Sequence, residues 1–297
     1  RRDLHHKRVI EIGCGQGDFL RLLCERGGNQ GVGFDPAYVP PRDEPTAEGR
    51  IHIVQDFYSE RYADEAADFI CCRHTLEHIH APVPFVQTVR RSIGERSDIV
   101  VFFEVPNALF TVRDLGIWDL IYEHCAYFTP YSLTRLFAEQ GFTVHDVRET
   151  YAGQFLCMEA TPRAPAAAPA ESDSTAPAEL TDAMESFAAK YRRKVSTMRR
   201  NLERMAQTKQ KVVAWGSGSK GVTFLNVFQT QDQIPYIVDL NPRKQGMFVA
   251  GTGQAIVAPT FLQTYQPDVV IVMNAIYADE IRTMLQDLDL NPEILLA

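Results

Sequence analysis

Glu11-Ile12-Gly13-Cys14-Gly15-Gln16-Gly17 carries three glycines at alternate positions and a carboxylate two places before the first. Glycines so spaced let a backbone turn sharply and approach a ligand with no Cβ in the way. The apolar run Arg8-Val9-Ile10 precedes them, and Phe19, Leu20, Leu22 and Leu23 follow at helical spacing. A helix start behind the turn favours an anionic group, such as the carboxylate of an amino-acid cofactor. Asp35 stands eighteen residues after Gly17, at the end of the next apolar run, where a carboxylate can accept from ribose hydroxyls. No Lys-Ser/Thr pair follows the glycines, which excludes a P-loop.

A second group is Tyr122-Glu123-His124 with Tyr127, just before Thr129-Pro130. It offers an imidazole that titrates near neutral pH, a neighbouring carboxylate and phenols, the components of a proton-abstracting site. These residues alone serve equally a catalytic His124 and one that satisfies a loop backbone. A third group, Gly216-Ser217-Gly218-Ser219-Lys220-Gly221, is a G-x-G-x-x-G after an apolar run, with Asp239 ending the next. Read alone it is a dinucleotide fingerprint that would put NAD in the Gly216 loop. Asn107 ends Glu104-Val105-Pro106-Asn107 and suits either a pocket wall or a turn.

Alternating strand and helix signals position these groups. Strands are expected at 8–12, 31–34, 51–54, 67–72 and 98–103, with two more near 143–147 and 154–160. Alternation at this spacing predicts a parallel sheet covered by helices. Thr129-Pro130 predicts a helix start and Gly141 its end. Ala, Pro and Ser then dominate 162–178, as in a solvated linker. The expected domains are therefore 1–161, a linker at 162–178, and 179–297. The last opens with a helix from about 179 to 208, its apolar seam running from Leu180 through Met184, Phe187, Tyr191, Met198 and Leu202 to Met205. Strands at 212–215, 236–239 and 268–273 make it a second, shorter β-α-β domain, and its Gly-rich turn repeats the first.

The motif Glu11 to Gly17 resembles motif I of the class I S-adenosylmethionine (SAM)-dependent methyltransferases. Asp56-Phe57 looks like that family's adenine-contacting position, and His74-Thr75-Leu76-Glu77-His78 like the loop after its fourth strand. The resemblance implies an α/β fold, a Rossmann-like class I methyltransferase sheet followed by a smaller Rossmann-like α/β domain. It implies SAM as cofactor, held by Glu11, Gly13, Cys14, Gly15, Gly17, Asp35, Asp56, Phe57 and His74. The segment around Glu123-His124 looks like the Glu-His signature of the nucleotide-sugar C-methyltransferases, whose His is the general base. That family has a Tyr three places before this His; here Ile121 stands there and Tyr122 is two before. The implied catalytic set is His124, Glu123, Tyr122 and Tyr127. The second glycine turn, with Val238-Asp239-Leu240-Asn241-Pro242-Arg243-Lys244-Gln245-Gly246, resembles the C-terminal domain of the same enzymes. Its implied role is to grip the nucleotide diphosphate of a sugar substrate through Gly216, Gly218, Ser219, Lys220 and Asp239, with Asn107 lining the pocket. The expected reaction is C-methylation of a keto-deoxysugar through an enolate. A sugar O-methyltransferase, an NAD-binding oxidoreductase-like protein and a non-catalytic binding protein are the alternatives. Relatives carry a zinc-binding segment before motif I, so a fragment or shortened relative is expected.

Net charge is −8, which disfavours a phosphate backbone as partner and points to a small molecule. No apolar run has the length of a membrane span, and the first eight residues lack a signal region, so a cytoplasmic protein is expected. None of the six cysteines forms a C-x-x-C pair, so they read as buried thiols with no metal site.

Overall fold

The computed structural model describes residues 4–40, 50–163 and 176–297. Most of the Ala/Pro-rich stretch, 164–175, lies outside the described residues. The chain divides into two compact units, Arg1–Phe110 with Glu123–Leu180, and Thr111–Tyr122 with Thr181–Ala297.

The first unit holds strands β1 (Arg8–Ile12), β2 (Gln30–Phe34), β3 (Ile51–Val54), β4 (Phe69–Arg73), β5 (Val100–Pro106), β6 (Phe142–Thr150) and β7 (Phe155–Pro162). Its helices are α1 (Asp18–Gly27), α2 (Pro82–Ile93), α3 (Ala108–Val112) and α4 (Pro130–Glu139). The sheet order is β3-β2-β1-β4-β5-β7-β6. β1 to β5 are parallel, as expected, and β7 runs antiparallel between β5 and β6. Only Tyr151–Gln154 joins β6 to β7. A connection that short cannot carry a crossover helix, so the two strands must be antiparallel.

Every strand residue from Val9 to Ile12 is buried, because helices cover both faces. Val9 packs with Leu20 and Cys24 of α1, and Ile10 with Val86 and Val89 of α2. The chain winds outward from β1 to β3 and returns on the other side as β4. That reversal opens a crevice at the carboxyl ends of β1 and β4, where such sheets bind ligands. Thr129 caps α4 as its sequence predicts. Its Oγ1 accepts from the Ser132 amide (3.1 Å), and Ser132 Oγ accepts from the Thr129 amide (2.9 Å).

The second unit contains α5 (Ala176–Gln207), β8 (Val212–Trp215), α6 (Ser219–Phe228), β9 (Tyr236–Val238), β10 (Ala255–Val257), α7 (Leu262–Tyr265), β11 (Val269–Val272), α8 (Ala278–Asp287) and β12 (Glu293–Leu296). Its sheet, β10-β9-β8-β11-β12, is wholly parallel. Of the expected seam on α5, Met198, Leu202 and Met205 are buried, Phe187 and Tyr191 are half-buried, and Met184 is exposed. Ile117 and Trp118 lie in this core, with the Trp118 ring 5.0 Å from Phe224 and 5.6 Å from Phe228. Residues 111–122 belong to the second unit, an excursion that the expected division of the chain at 161 and 179 did not contain. Among the described residues no helix is long and apolar enough to cross a membrane.

Candidate functional site

A cavity of about 650 Å³ opens in the first unit at the carboxyl ends of β1, β2 and β4. Glu11, Gly13, Cys14, Gly15, Asp35, Asp56, Phe57 and His74 line it. Gly17 sits one step behind as the buried residue before α1, its φ of 82° in the left-handed region. The turn is possible only with glycine at Gly13. Its φ is +73°, and a Cβ there would fall 1.9 Å from Thr75 Oγ1. The Gly13 amide donates to the Phe34 carbonyl (2.8 Å), which ties the turn to the end of β2.

Glu11 is 3% exposed and its Oε2 has no hydrogen-bond partner. Burial pushes its carboxyl up to about 7, against the pull of the Arg73 guanidinium. Burial likewise pushes the Cys14 thiol up to about 12, so it is an apolar wall and no nucleophile. Asp35 braces the turn, its Oδ2 accepting from the Gly15 amide (2.7 Å) and its Oδ1 from the Ala37 amide (2.8 Å). Each oxygen keeps a second lone pair for a hydroxyl. Asp56 accepts from the Tyr62 hydroxyl (2.7 Å), Arg61 (2.9 Å) and the Phe57 amide (2.8 Å), and the Tyr62 bond first among these lowers its pKa. The Phe57 ring is 70% exposed at the cavity rim, available for a flat ligand.

His74 has a φ of +49° and lies between Glu104 (Nε2 to Oε1, 2.9 Å) and Glu77 (Nδ1 to Oε1, 3.8 Å). Burial alone would lower its pKa, but the two carboxylates hold it up at about 9. Glu104 is held down at about 2 despite burial, by His74 and then Arg73. Glu104 and Glu77 thus favour the protonated form of His74, whose side chain also lines the cavity.

The group around His124 is assembled from two loops. Glu77 is 1% exposed, its Oε2 has no partner, and its carbonyl accepts the Cys125 (2.8 Å) and Ala126 (3.1 Å) amides. His78 Nδ1 is 3.0 Å from the Glu123 carbonyl. The His78 ring, which lines the cavity, meets His124 edge to face with centroids 4.9 Å apart. One polar atom each of Glu77, His78 and His124 lies within 4.8 Å of the others. The exposed Tyr127 ring is 6.1 Å from His124, and the Glu123 side chain is exposed. Tyr122 is 99% exposed and belongs to the second unit. Asn107 is buried with both ends of its amide on backbone, Nδ2 to Gly153 (2.9 Å) and Oδ1 from Leu109 (3.0 Å), so its contacts are those of the turn role. Sequence reasoning missed Arg73, Glu77 and Glu104 as site residues. Glu77-His78 was visible as an acid-imidazole pair, but its partner loop lies some 45 residues away.

In the second unit Gly216 has a φ of +108°, and a Cβ on Gly221 would meet the Gly216 carbonyl oxygen at 2.2 Å, so α6 presses on the turn. The Ser217 amide (3.0 Å) and hydroxyl both donate to Asp239 Oδ2, and Lys244 Nζ is 3.6 Å away. Against burial, these bonds lower the Asp239 pKa. Lys220 pairs with the buried Asp119 (2.9 Å), while Gly218 and Ser219 are exposed at the start of α6.

Residues 2–147 match the family model of a methyltransferase domain, and residues 159–291 that of a C-methyltransferase C-terminal domain. The C-methyltransferase NovU of Streptomyces niveus is 25% identical over 295 residues, covering 92% of this chain and 67% of that protein. The ubiquinone biosynthesis O-methyltransferase of Aeromonas salmonicida is 25% identical over 164 residues, covering 48% of this chain and 66% of that protein. The chain thus spans about two thirds of the length of each of these relatives. Among solved structures, the 1,6-didemethyltoxoflavin-N1-methyltransferase of Burkholderia thailandensis is 19% identical, covers 54% of this chain and 72% of its own, and has a TM-score of 0.42.

Proposed function

We propose that this chain, which belongs to the class I SAM-dependent methyltransferases carrying a C-methyltransferase C-terminal domain, methylates a carbon of a nucleotide-diphosphate keto-deoxysugar with His124 as base. The cofactor fits the residues present. The buried Glu11 Oε2 lacks a donor that an ammonium would supply. Gly13 and Gly15 let the backbone come close, Asp35 can accept ribose hydroxyls, and Phe57 can cover a flat base. When bound, SAM supplies a methyl group on a sulfonium, an electrophile with an excellent leaving group.

The protein's own part is then to position the acceptor, exclude water and move one proton. A carbon next to a ketone becomes nucleophilic only as an enolate. A ring nitrogen of His124 takes that proton, and the electron pair left behind shifts onto the ketone oxygen. The buried carboxylate of Glu77 favours the imidazolium that forms, and His78, whose ring meets that of His124, lines the cavity. The observation that carries this reading is the closeness of His124, His78 and Glu77 beside a cavity that suits SAM. Glu123 is assigned as the neighbour of His124 in the site, and Tyr127 or Tyr122 as a polar contact. Attack by carbon rather than oxygen is supported by the C-terminal domain match and by the relative that covers most of the chain. The nucleotide diphosphate is assigned to the turn amides of Gly216 and Gly218 and to Ser219. Lys220 joins them only by leaving Asp119, and Asp239 acts by bracing the turn.

The test is solvent exchange. With S-adenosylhomocysteine bound and a panel of nucleotide-diphosphate keto-deoxysugars in deuterium oxide, deuterium is expected at the carbon beside the ketone. Replacing the homocysteine form by SAM should convert the same sugar into a product with a new carbon-bound methyl. His124→Asn should abolish exchange yet change S-adenosylhomocysteine affinity by no more than about twofold. A methyl ether formed without exchange would show an oxygen acceptor and refute the reading.

A further inference from the structure

We propose that Arg73 reads the α-carboxylate of the bound cofactor while Glu11 takes its α-ammonium, so that the two recognise an amino-acid zwitterion. The inference rests on SAM as cofactor and is independent of the sugar acceptor. Sequence reasoning gave the anionic group to the start of α1. The structure puts a better-suited group on the same wall.

Arg73 ends β4, the strand beside β1, and both it and Glu11 line the cavity. Its guanidinium lies 4.0 Å from the centre of the Phe19 ring, in the first turn of α1. Stacking of that kind fixes the plane of the group and its direction. Nε (3.1 Å) and Nη2 (2.9 Å) both donate to one oxygen, Glu104 Oε1. His74 Nε2 reaches the same oxygen at 2.9 Å, so three donors crowd a single acceptor. Nη1, with two protons, has no partner among the described residues. Arg73 and His74 thus share Glu104 Oε1, and His74 also faces Glu77 Oε1 at 3.8 Å, so Nη1 of Arg73 is left to point at a ligand. A guanidinium presents donors in a fork that matches a carboxylate, which the scattered amides of a helix start do not.

Glu11 supplies the opposite need. Arg73 and Glu11 are near enough to act on each other, yet no ion pair within 4.0 Å joins them, and Glu11 Oε2 is buried without a donor. Opposite charges that face one cavity, stay apart and each keep an unfilled position suit a small zwitterion set between them. The carboxylate goes to Arg73 and the ammonium to Glu11.

Calorimetry with S-adenosylhomocysteine and its decarboxylated analogue tests this directly. The wild-type protein should bind the first about 100-fold more tightly. Arg73→Met should weaken S-adenosylhomocysteine by about 30-fold or more and the analogue by less than about threefold. Arg73→Lys keeps the charge without the fork and should lose about tenfold on S-adenosylhomocysteine alone. Equal affinity of the wild type for both ligands would overturn the proposal without any variant, and would leave the cofactor assignment standing. Equal weakening of both ligands by the variants would overturn it too, since a purely structural Arg73 behaves that way. A wild-type protein that binds neither ligand would remove the cofactor assignment and this proposal together.

Discussion

Glu11→Gln should abolish a proton release that accompanies cofactor binding. In the free protein burial holds the Glu11 carboxyl at about 7, against an ordinary 4.5. An ammonium set against it restores the ordinary value, because an opposite charge favours the ionised form. At pH 6 about nine tenths of Glu11 is then protonated before binding and almost none after, so binding releases about 0.9 proton; at pH 8 it releases about 0.1. Affinity for S-adenosylhomocysteine should accordingly rise about tenfold from pH 6 to pH 8. The stability of the free protein moves the other way. A carboxyl whose folded pKa is raised stabilises the fold while protonated, fully so below pH 4.5, and that contribution disappears as pH rises through 7. The total is roughly 3 kcal/mol, since each tenfold change in the acid constant is worth about 1.4 kcal/mol. Calorimetry in buffers of different ionisation enthalpy reads the proton count, and thermal denaturation of the ligand-free protein reads the second effect. Equal proton release at pH 6 and pH 8, or a release that survives Glu11→Gln, would refute the reasoning.

Two further perturbations separate folding from binding. Gly13→Ala should cost roughly 3 kcal/mol in denaturant unfolding, since the left-handed backbone costs about 1–2 kcal/mol and the new methyl collides with Thr75. Gly15→Ala shares the positive φ (+56°) but meets nothing within 4 Å, so it should cost about 1 kcal/mol while still weakening S-adenosylhomocysteine, because Gly15 lines the cavity. In the second unit, Lys220→Met leaves the buried Asp119 without its cation and should cost roughly 3 kcal/mol. Adding Asp119→Asn should return a good part of that loss in the same unfolding assay.

The first half of the sheet was legible because its strands are buried on both faces. Such strands read as unbroken apolar runs that stop at Gly or Asp, and Val9–Ile12 and Gly31–Phe34 do so. The starts of β4 and β5 fall two residues later than expected, because the buried Ala67 and Ile99 read as strand although the ladders begin at Phe69 and Val100. β10 has three residues and β12 four, too few for a period to show. The destination of residues 111–122 was hidden for a different reason. Ile117-Trp118 is apolar wherever it goes, and its partners Phe224 and Phe228 lie about a hundred positions away. The site divides along the same line. The glycine turn and Asp35 are local signals tied together by one hydrogen bond. The His124 group needs the Glu77 carbonyl to capture the amides of Cys125 and Ala126, a contact that only folding creates.

The two glycine turns show how little separates a turn that folds from a turn that binds. In each, the first glycine donates its amide to the carbonyl that ends the neighbouring strand, Gly13 to Phe34 and Gly216 to Val238, both at 2.8 Å. In each, an aspartate past that strand takes a turn amide, Asp35 from Gly15 and Asp239 from Ser217. The difference lies two residues before the first glycine. There the first unit buries Glu11, an acid with an unfilled oxygen, and the second buries Ala214. A buried carboxylate left without a donor is costly unless a ligand completes it. The first turn therefore keeps a buried acid oxygen open to a donor from outside the chain. The second spends its charges internally, Asp239 on Ser217 and Lys220 on Asp119, so nothing at that turn demands a charged amino-acid group. Ala214→Glu would not convert it, because Trp215 pairs with Val272 as Ile12 pairs with Cys72, which puts Met273 where the first unit has Arg73.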